Sequence, residues 1–182
     1  MGFGIYVIDG FRDTKPLTAP ESKMVIRKAT HADTQELKRL SEEFRQYFLR
    51  SPIFLVAEKQ DDQKYSELLN DDTGVVFVAE NSDELKGFLY VRENNKPDIY
   101  QLASKGIGNI DKLGSYVKEE SRGTGASVEL LRAAVDWCNE RGLDIIHVDH
   151  ESANLPGGRF WAKYFTPSLY SLKRKVNQDI LG

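Results

Sequence analysis

The sequence is poor in the features that mark secreted, membrane and nucleic-acid-binding proteins. Its 182 residues include one cysteine, Cys138, which excludes an intrachain disulfide and favours a reducing, cytoplasmic setting. No apolar run is long enough to span a membrane, and the N-terminus lacks the basic stretch and apolar core of a signal peptide. The net charge is −3, so no nucleic-acid partner is expected.

The remaining composition is that of a globular protein, with 40% hydrophobic and 29% charged residues. The length allows one domain with a substantial core. We expect an N-terminal arm or linker over residues 1–22 and one domain over residues 23–182. The arm begins with a short strand at 4–8, and its prolines keep residues 13–20 extended. The pattern leaves open whether the arm packs on the domain or on a partner chain.

Hydrophobic periodicity predicts a mixed order of strands and helices. Strands are predicted at 24–29, 74–80, 85–92, 107–119, 144–148 and 168–176. Helices are predicted after an N-cap at Thr30, over 61–69, over 127–141 and around 158–165. The first helix carries an apolar stripe that we interpret as mostly core, namely Leu37, Leu40, Phe44, Tyr47 and Phe48. The run Phe54 to Val56 after it is expected to pack inward.

The most informative stretch is the turn Arg122-Gly-Thr-Gly-Ala-Ser127, between a predicted strand and the clearest predicted helix. Its two glycines allow close approach of a ligand and positive φ, and a helix N-terminus favours an anion such as a phosphate. The turn lacks a Gly-Lys-Ser/Thr ending, which excludes a Walker loop. Val128 stands where a dinucleotide fingerprint needs its third glycine. We expect the turn to lie at the surface.

This stretch resembles the acetyl-CoA-binding motif of the GCN5-related N-acetyltransferases, which is Arg/Gln-x-x-Gly-x-Gly/Ala after a strand valine. Arg122, Gly125 and Ser127 take the motif positions, with Ser127 a departure at the last one, and Val117 lies where the strand valine lies. The resemblance covers roughly residues 24–176. It implies an α/β fold with a mixed, mostly antiparallel sheet flanked by helices and splayed between the fourth and fifth strands.

The resemblance also implies how acetyl-CoA, the cosubstrate, would bind. Its pantetheine arm would enter the splay, and the backbone N–H of Val117 would polarise the thioester carbonyl. The pyrophosphate would take backbone N–H groups of the turn, namely those of Gly123, Thr124, Gly125, Ala126 and Ser127.

Two further residues complete the implied cofactor site. Arg122 would add positive charge beside the pyrophosphate, although a surface ion pair with Glu119 or Glu120 is an equal alternative. Asn154 fits the asparagine that follows the fifth strand in the family. The first helix and the next would form part of the wall of the acceptor site.

The catalytic acid and base are less well defined by the resemblance. Trp161 takes the place where the family often has a tyrosine that protonates the departing thiolate, and an indole does not titrate near neutrality. Tyr164, one helical turn on, is the candidate substitute, with solvent as the alternative. Asp111, on the strand before Val117, is the candidate base, provided that no bulge interrupts the strand.

Four polar residues cluster at the end of the predicted strand 144–148, namely His147, Asp149, His150 and Glu151. One strand rarely aims four ligands at one point, so no metal site is expected. We expect one of the four to touch substrate.

The implied reaction is direct transfer of an acetyl group from acetyl-CoA to an amine in a ternary complex. The acceptor would be a small molecule or a peptide, and a homodimer is compatible with the fold. Two alternatives stay open at this stage. One is a non-catalytic acyl-CoA-binding or dimerising module of the same fold, and the other is a phosphate- or nucleotide-binding protein that uses only the turn.

Overall fold

The computed structural model describes residues 4–20, 22–57, 59, 61–94, 106–111 and 113–174. The strands in these residues are β1 (Gly4–Asp13), β2 (Val25–Lys28), β3 (Gly74–Asn81), β4 (Glu84–Asn94), β5 (Ile107–Ile110), β6 (Ser115–Val117), β7 (Ile145–Glu151) and β8 (Thr166–Lys173). The α-helices are α1 (Thr34–Leu49), α2 (Asp62–Asn70), α3 (Ala126–Glu140) and α4 (Leu155–Tyr164). No helix in the described ranges is long and apolar enough to cross a membrane.

The strands form one sheet in the order β2-β3-β4-β5-β7-β1-β8, and β6 also pairs with β4. β5 and β7 run parallel, while the other pairings in the described part of the chain are antiparallel. The predicted mixed, mostly antiparallel sheet is therefore confirmed. The parallel pair flanks α3, as a strand–helix–strand unit requires.

Each face of the sheet is covered by two helices around its own apolar core. On one face, Leu130, Leu131 and Val135 of α3 pack with β-strand side chains such as Val148, and α4 joins this core. On the other face, α1 and α2 cover the β3–β4 hairpin. The helices flank the sheet as predicted, and the cavity described below opens where β6 and β7 diverge.

The ends of α1 and α3 follow from local sequence. The Asp33 carboxylate accepts hydrogen bonds from the Thr30 backbone N at 2.7 Å and the Thr30 hydroxyl at 3.0 Å, which makes a capping box. Glycines with positive φ stand at both ends of α3, Gly125 at its N-cap and Gly142 after its last turn. These glycines stop the helix where the apolar pattern ends.

The predicted single strand over 107–119 is wrong, because the chain turns between β5 and β6. The Gly114 N–H donates to the Asp111 carbonyl at 2.9 Å, and Gly114 adopts a φ of +71°, which favours glycine. The Gly114 carbonyl then accepts from the Tyr90 N–H at 2.9 Å, so pairing with β4 resumes at β6. Asp111 and Val117 consequently do not share one regular strand.

The N-terminal arm forms part of the sheet. Its first half is β1, which extends beyond the predicted 4–8 to Asp13 and lies between β7 and β8. Phe11 pairs with His147 on one side and Thr166 on the other, and it is buried. The predicted last strand is β8, which ends at Lys173, and the end of that prediction lies outside the described residues.

The second half of the arm runs along α3 as a strap, described over residues 14–20 and 22–24. The Thr14 hydroxyl donates to the Leu143 carbonyl at 2.9 Å, just beyond the C-terminus of α3. Leu17 and Met24 pack against the α3 core. At the N-terminus of α3 the strap passes so close to Gly125 that a β-carbon there would lie 3.2 Å from the Ser22 β-carbon and 3.4 Å from Pro20 Cγ.

Candidate active site

The Gly-rich turn leads directly into the N-terminus of α3. Gly123 and Gly125 adopt φ of +78° and +92°, and the Gly125 carbonyl accepts from the N–H groups of Val128 and Glu129 at 3.0 Å. The Thr124 hydroxyl donates to the Ser121 carbonyl at 2.8 Å and fixes the turn. The first N–H groups of a helix have no intrahelical partner and carry partial positive charge, so the turn is suited to an anion.

The turn is only partly the open surface that the sequence suggested. A β-carbon at Gly123 would meet no atom within 4 Å, whereas Gly125 is covered by the strap at Pro20 and Ser22. A bulky residue at Gly125 would therefore strain the backbone and collide with the strap before it could block a ligand.

The register of β6 directs the Val117 N–H away from β4. Val117 lies opposite Gly87, and the flanking bond runs from the Lys118 N–H to the Lys86 carbonyl at 2.9 Å. In an antiparallel pair this pattern makes Val117 and Gly87 a non-hydrogen-bonded pair, whose own N–H and carbonyl groups point to the opposite edges. The same holds for Ser115 opposite Leu89, so two β6 residues offer backbone groups to the far side of the strand.

That far side is the gap between β6 and β7. β5 pairs with β7 only over residues 107–110 and 145–148, while β6 pairs with β4 and the end of β7 pairs with β1. The sheet is therefore splayed between the strand before the Gly-rich turn and the strand after α3. This confirms the predicted splay.

Arg122 reaches into the gap. Its Nε donates to the Val117 carbonyl at 3.3 Å, and its guanidinium lies 4.9 Å from the centre of the Tyr47 ring. Glu119, one of its two alternative partners in the sequence, pairs with Arg50 at 3.2 Å instead. Arg122 thus lies beside the backbone groups of β6 and within reach of the turn.

Asn154 caps α4 and joins it to α1. Its side-chain oxygen accepts from the Gly157 N–H at 3.2 Å and from the Tyr47 hydroxyl at 3.0 Å. Sequence analysis missed this role of Tyr47, which it placed in the apolar stripe. The signal was the hydroxyl itself, since a buried tyrosine hydroxyl usually finds a partner.

The two aromatic candidates on α4 lie in different surroundings. Trp161 is buried and lines the cavity between β6 and β7 together with Phe160. Tyr164 is not among the described residues that line this cavity, and its ring packs 5.1 Å from the Phe160 ring. The acid role of Tyr164 stays a prediction, and its place on the helix favours packing.

Asp111 lines the cavity but is held by Arg92. The guanidinium makes three hydrogen bonds to the two carboxylate oxygens, at 2.9, 3.0 and 2.6 Å. Sequence analysis missed Arg92, which lies opposite Asn109 in the β4–β5 pairing. A carboxylate with both oxygens engaged is poorly placed to take a proton from substrate, although its role as base stays a prediction.

The polar cluster at the end of β7 divides between the core and the cavity. His147 is buried, with Nε2 3.0 Å from an Asp9 oxygen and Nδ1 2.9 Å from the Asn109 side-chain oxygen. Asp149, His150 and Glu151 line the cavity. Asp149 is exposed and Glu151 half-buried, and the partial loss of solvent beside the cavity walls raises the pKa of both carboxyls.

One cavity of about 560 Å³ connects the turn, the gap and the first helix. Val117, Arg122, Gly123, Ser127 and Asn154 contribute to its lining, so five of the predicted cofactor residues meet there. The cavity also extends to aromatic side chains of α1 and to the carboxylates of β7. Its volume is typical of a site for a small organic ligand.

Comparison with known proteins identifies the family. The model of the acetyltransferase (GNAT) family matches residues 37–165. The chain belongs to this family. The match to the GNAT family spans α1 through α4 and therefore includes the turn, the gap and most of the cavity. No curated protein sequence matches the chain.

Solved structures share the GNAT fold at low sequence identity. The tetramutant of the BH1408 protein from Bacillus halodurans has a TM-score of 0.72 and 19% identity, covering 84% of this chain and 100% of that one. AAC(6')-Iy in complex with a CoA-containing bisubstrate analogue has a TM-score of 0.68 and 17% identity, covering 86% and 100%. Ribosomal-protein-alanine N-acetyltransferase from Brucella melitensis biovar Abortus 2308 has a TM-score of 0.63 and 19% identity, covering 85% and 98%.

Proposed function

We propose that this protein transfers an acetyl group from acetyl-CoA to an amine, directly and within a ternary complex. The observation that carries the proposal is the pair of backbone groups at Ser115 and Val117. They point into the gap between β6 and β7, a few residues before a helix N-terminus suited to phosphate. An extended ligand with an amide-bearing arm and a pyrophosphate, as in acetyl-CoA, matches both features.

Acetyl-CoA would lie along β6 like an added strand. Its pantetheine amides would pair with backbone groups of β6, and its pyrophosphate would accept N–H groups of the turn from Gly123 to Ser127. The Val117 N–H would then face the thioester carbonyl and stabilise the negative charge that develops on its oxygen during attack. Backbone donors do this without depending on the identity of the side chain.

Arg122 would change partners when acetyl-CoA binds. Its bond to the Val117 carbonyl occupies the gap that the pantetheine arm needs. The guanidinium can swing toward the turn while its stacking on Tyr47 persists, and there it would pair with the pyrophosphate. Arg122 would thus supply a cation for the bound pyrophosphate.

The proton of the acceptor ammonium must leave before attack. With Asp111 held by Arg92, the carboxylates of Asp149 and Glu151 are the acidic groups of β7 that line the cavity, and their raised pKa brings them nearer to that of an amine under attack. The departing thiolate would take a proton from Tyr164 or from solvent. Trp161 shapes this part of the cavity without titrating.

The second candidate function is a non-catalytic acyl-CoA-binding module of the same fold. The placement of Tyr164 outside the described cavity lining and the bonds from Arg92 to Asp111 favour it, since neither arrangement is suited to proton transfer. A homodimer stays a prediction for either function.

Calorimetric titration with acetyl-CoA, CoA and ADP separates the remaining alternatives. The proposed function predicts that CoA binds more tightly than ADP, because pantetheine adds contacts along β6. Acetyl-CoA at about 100 times its Kd should also raise the unfolding free energy by about 2.7 kcal/mol. Equal affinity for CoA and ADP would favour a simple phosphate site, and CoA binding without turnover on any amine would favour the non-catalytic module.

A further inference from the structure

The acceptor end of the cavity has an aromatic wall. Phe44 and Phe48 of α1 and Tyr116 of β6 all line it, with Phe44 ring centroids 4.6 Å from Phe48 and 5.3 Å from Tyr116. Leu55, in the segment after α1, lines the same cavity. This surface offers apolar contact and ring stacking, and a ligand hydroxyl packed against the rings would lose its hydrogen bonds to water.

The segment after α1 turns alternate side chains toward and away from the cavity. Leu55 and Ala57 line the cavity, whereas Phe54 and Val56 are 72% and 78% exposed. The predicted inward packing of the whole run is therefore wrong, and only alternate residues face inward. Phe54 has a φ of +49°, so the chain is bent where this alternation begins.

Another wall of the cavity is acidic. Asp149 and Glu151 line it from β7, and no ion pair joins either carboxylate to another described residue. Asp111 pairs with Arg92 at 2.6 Å and Arg45 with Glu42 at 2.6 Å, whereas Arg122, the other arginine of the described lining, bonds to the Val117 carbonyl of β6. The acidic wall thus favours a cationic group close to the end of the gap where the thioester would lie.

We propose that the acceptor is a small amphipathic amine, in which a primary ammonium group is attached to an aromatic or similarly apolar body. The ammonium lies at Asp149 and Glu151, and the apolar body packs on Phe44, Phe48 and Tyr116. The inference rests on the proposed function. It disfavours aminoglycosides, whose bodies carry many hydroxyl groups that the aromatic rings cannot hydrogen-bond, and it disfavours polyamines, which have no ring to stack on the wall. It also disfavours peptide N-termini, whose amides need hydrogen-bond partners along the wall.

Matched amines test this inference. 2-Phenylethylamine and ethylamine share the reactive group and differ by a phenyl ring, while spermidine and an alanine-initiated peptide represent the polar acceptors. Since one methylene in an apolar pocket changes kcat/KM by about 10- to 200-fold, 2-phenylethylamine should exceed ethylamine by about 100-fold or more. It should also exceed spermidine and the peptide. A preference for either polar acceptor, or a ratio below about threefold between the first two amines, would overturn the inference.

Two neighbouring substitutions supply a matched control. Leu55→Asn places an amide in the apolar wall and should lower kcat/KM for 2-phenylethylamine about tenfold, with little effect on ethylamine. Val56→Asn changes an adjacent, exposed side chain and should alter either value less than about twofold. Equal effects of the two substitutions would overturn the assignment of the wall.

The acidic wall has its own test. Asp149→Asn should raise KM for 2-phenylethylamine about tenfold and leave the affinity for acetyl-CoA within about twofold, because the cofactor contacts lie on β6 and the turn. An unchanged KM would overturn the role of Asp149.

The affinity for acetyl-CoA, measured by calorimetry in every variant, separates the proposed acceptor class from the proposed function. Tight acetyl-CoA binding with turnover of a polar amine would refute only the acceptor class, whereas no acetyl-CoA binding would refute the proposed function.

Discussion

Replacing Gly123 with aspartate or with asparagine isolates the charge that the Gly-rich turn is proposed to bind. Gly123 has a φ of +78°, and a β-carbon there would meet no atom within 4 Å. Asparagine and aspartate are the residues after glycine that best tolerate this conformation, so both variants pay a similar backbone cost of about 1 kcal/mol. They have nearly the same shape and differ by one negative charge.

The difference in CoA affinity between the two variants follows from Coulomb's law. A carboxylate about 4 Å from one phosphate charge is repelled by about 1 kcal/mol in water and about 4 kcal/mol at an effective dielectric constant of 20. A surface turn lies between these limits, so we expect about 2 kcal/mol, which is about 30-fold in Kd. Raising the ionic strength from about 0.1 M to 1 M shortens the screening length from about 10 Å to 3 Å. The ratio of the Kd values of the two variants should therefore become smaller.

Gly142 provides the control for this experiment. It stands at the opposite end of α3, has a φ of +70°, and a β-carbon there would also meet no atom within 4 Å. Gly142→Asp and Gly142→Asn should bind CoA equally in calorimetric titrations. If Gly123→Asp and Gly123→Asn bind CoA within about twofold of each other at low salt, the turn does not hold the pyrophosphate.

Three other predictions concern chemistry and stability. Tyr164→Phe should lower kcat less than about threefold in a CoA-release assay if the tyrosine only packs, whereas a loss of about 10²–10⁴-fold would identify it as the acid; Trp161→Tyr should raise kcat if the fold can use a tyrosine acid there. Deleting residues 1–22 removes β1 from between β7 and β8 and should abolish cooperative unfolding measured by circular dichroism, and a deletion that unfolds cooperatively would contradict the described sheet. Asp33→Asn should lower the unfolding free energy by about 1–2 kcal/mol at pH 7. Because the hydrogen bonds from Arg27 lower the pKa of Asp33 to about 2 in the folded protein, this difference should shrink as the pH falls from about 4 to 2, and a constant difference would contradict the pairing.

The elements that sequence reasoning predicted best are those with local causes. The limits of α3 follow from an apolar face between two glycines, Gly125 and Gly142, and the observed helix differs from the predicted one by a single residue at each end. The β3–β4 hairpin arises from two apolar runs, predicted as strands at 74–80 and 85–92, on either side of the polar residues 81–84. Ser82 and Asp83, with φ of +53° and +61°, close it as a turn that suits paired strands.

The position of the N-terminal arm could not be predicted from local pattern. A short apolar run indicates a strand without indicating its neighbours. β1 pairs with residues more than 130 positions away, and the strap then covers Gly125.

The single strand predicted over 107–119 is wrong for a related reason. The turn at Gly114 depends on a bond to Tyr90 across the sheet, which the sequence of this segment does not contain.

In the candidate site, backbone positions were easier to predict than side-chain partners. The motif pointed to Val117 and Arg122, and these two residues lie together at the gap. The hydrogen bonds from Arg92 to Asp111 join residues 19 positions apart in the sequence. The hydrogen bond from Tyr47 to Asn154 joins residues 107 positions apart. Such pairs depend on strand register and helix packing, which the motif does not specify.

The most direct test of the central claim is mass spectrometry of the products formed from acetyl-CoA with an isotopically labelled acetyl group and 2-phenylethylamine. Acetyl transfer predicts the labelled amide and free CoA in equal amounts, at a rate that depends on enzyme concentration. The Gly123→Asp variant should form both products far more slowly than Gly123→Asn at low cofactor concentration. Release of labelled acetate without an amide on this or any other amine, or no consumption of acetyl-CoA at all, would contradict the proposal that the protein is an N-acetyltransferase.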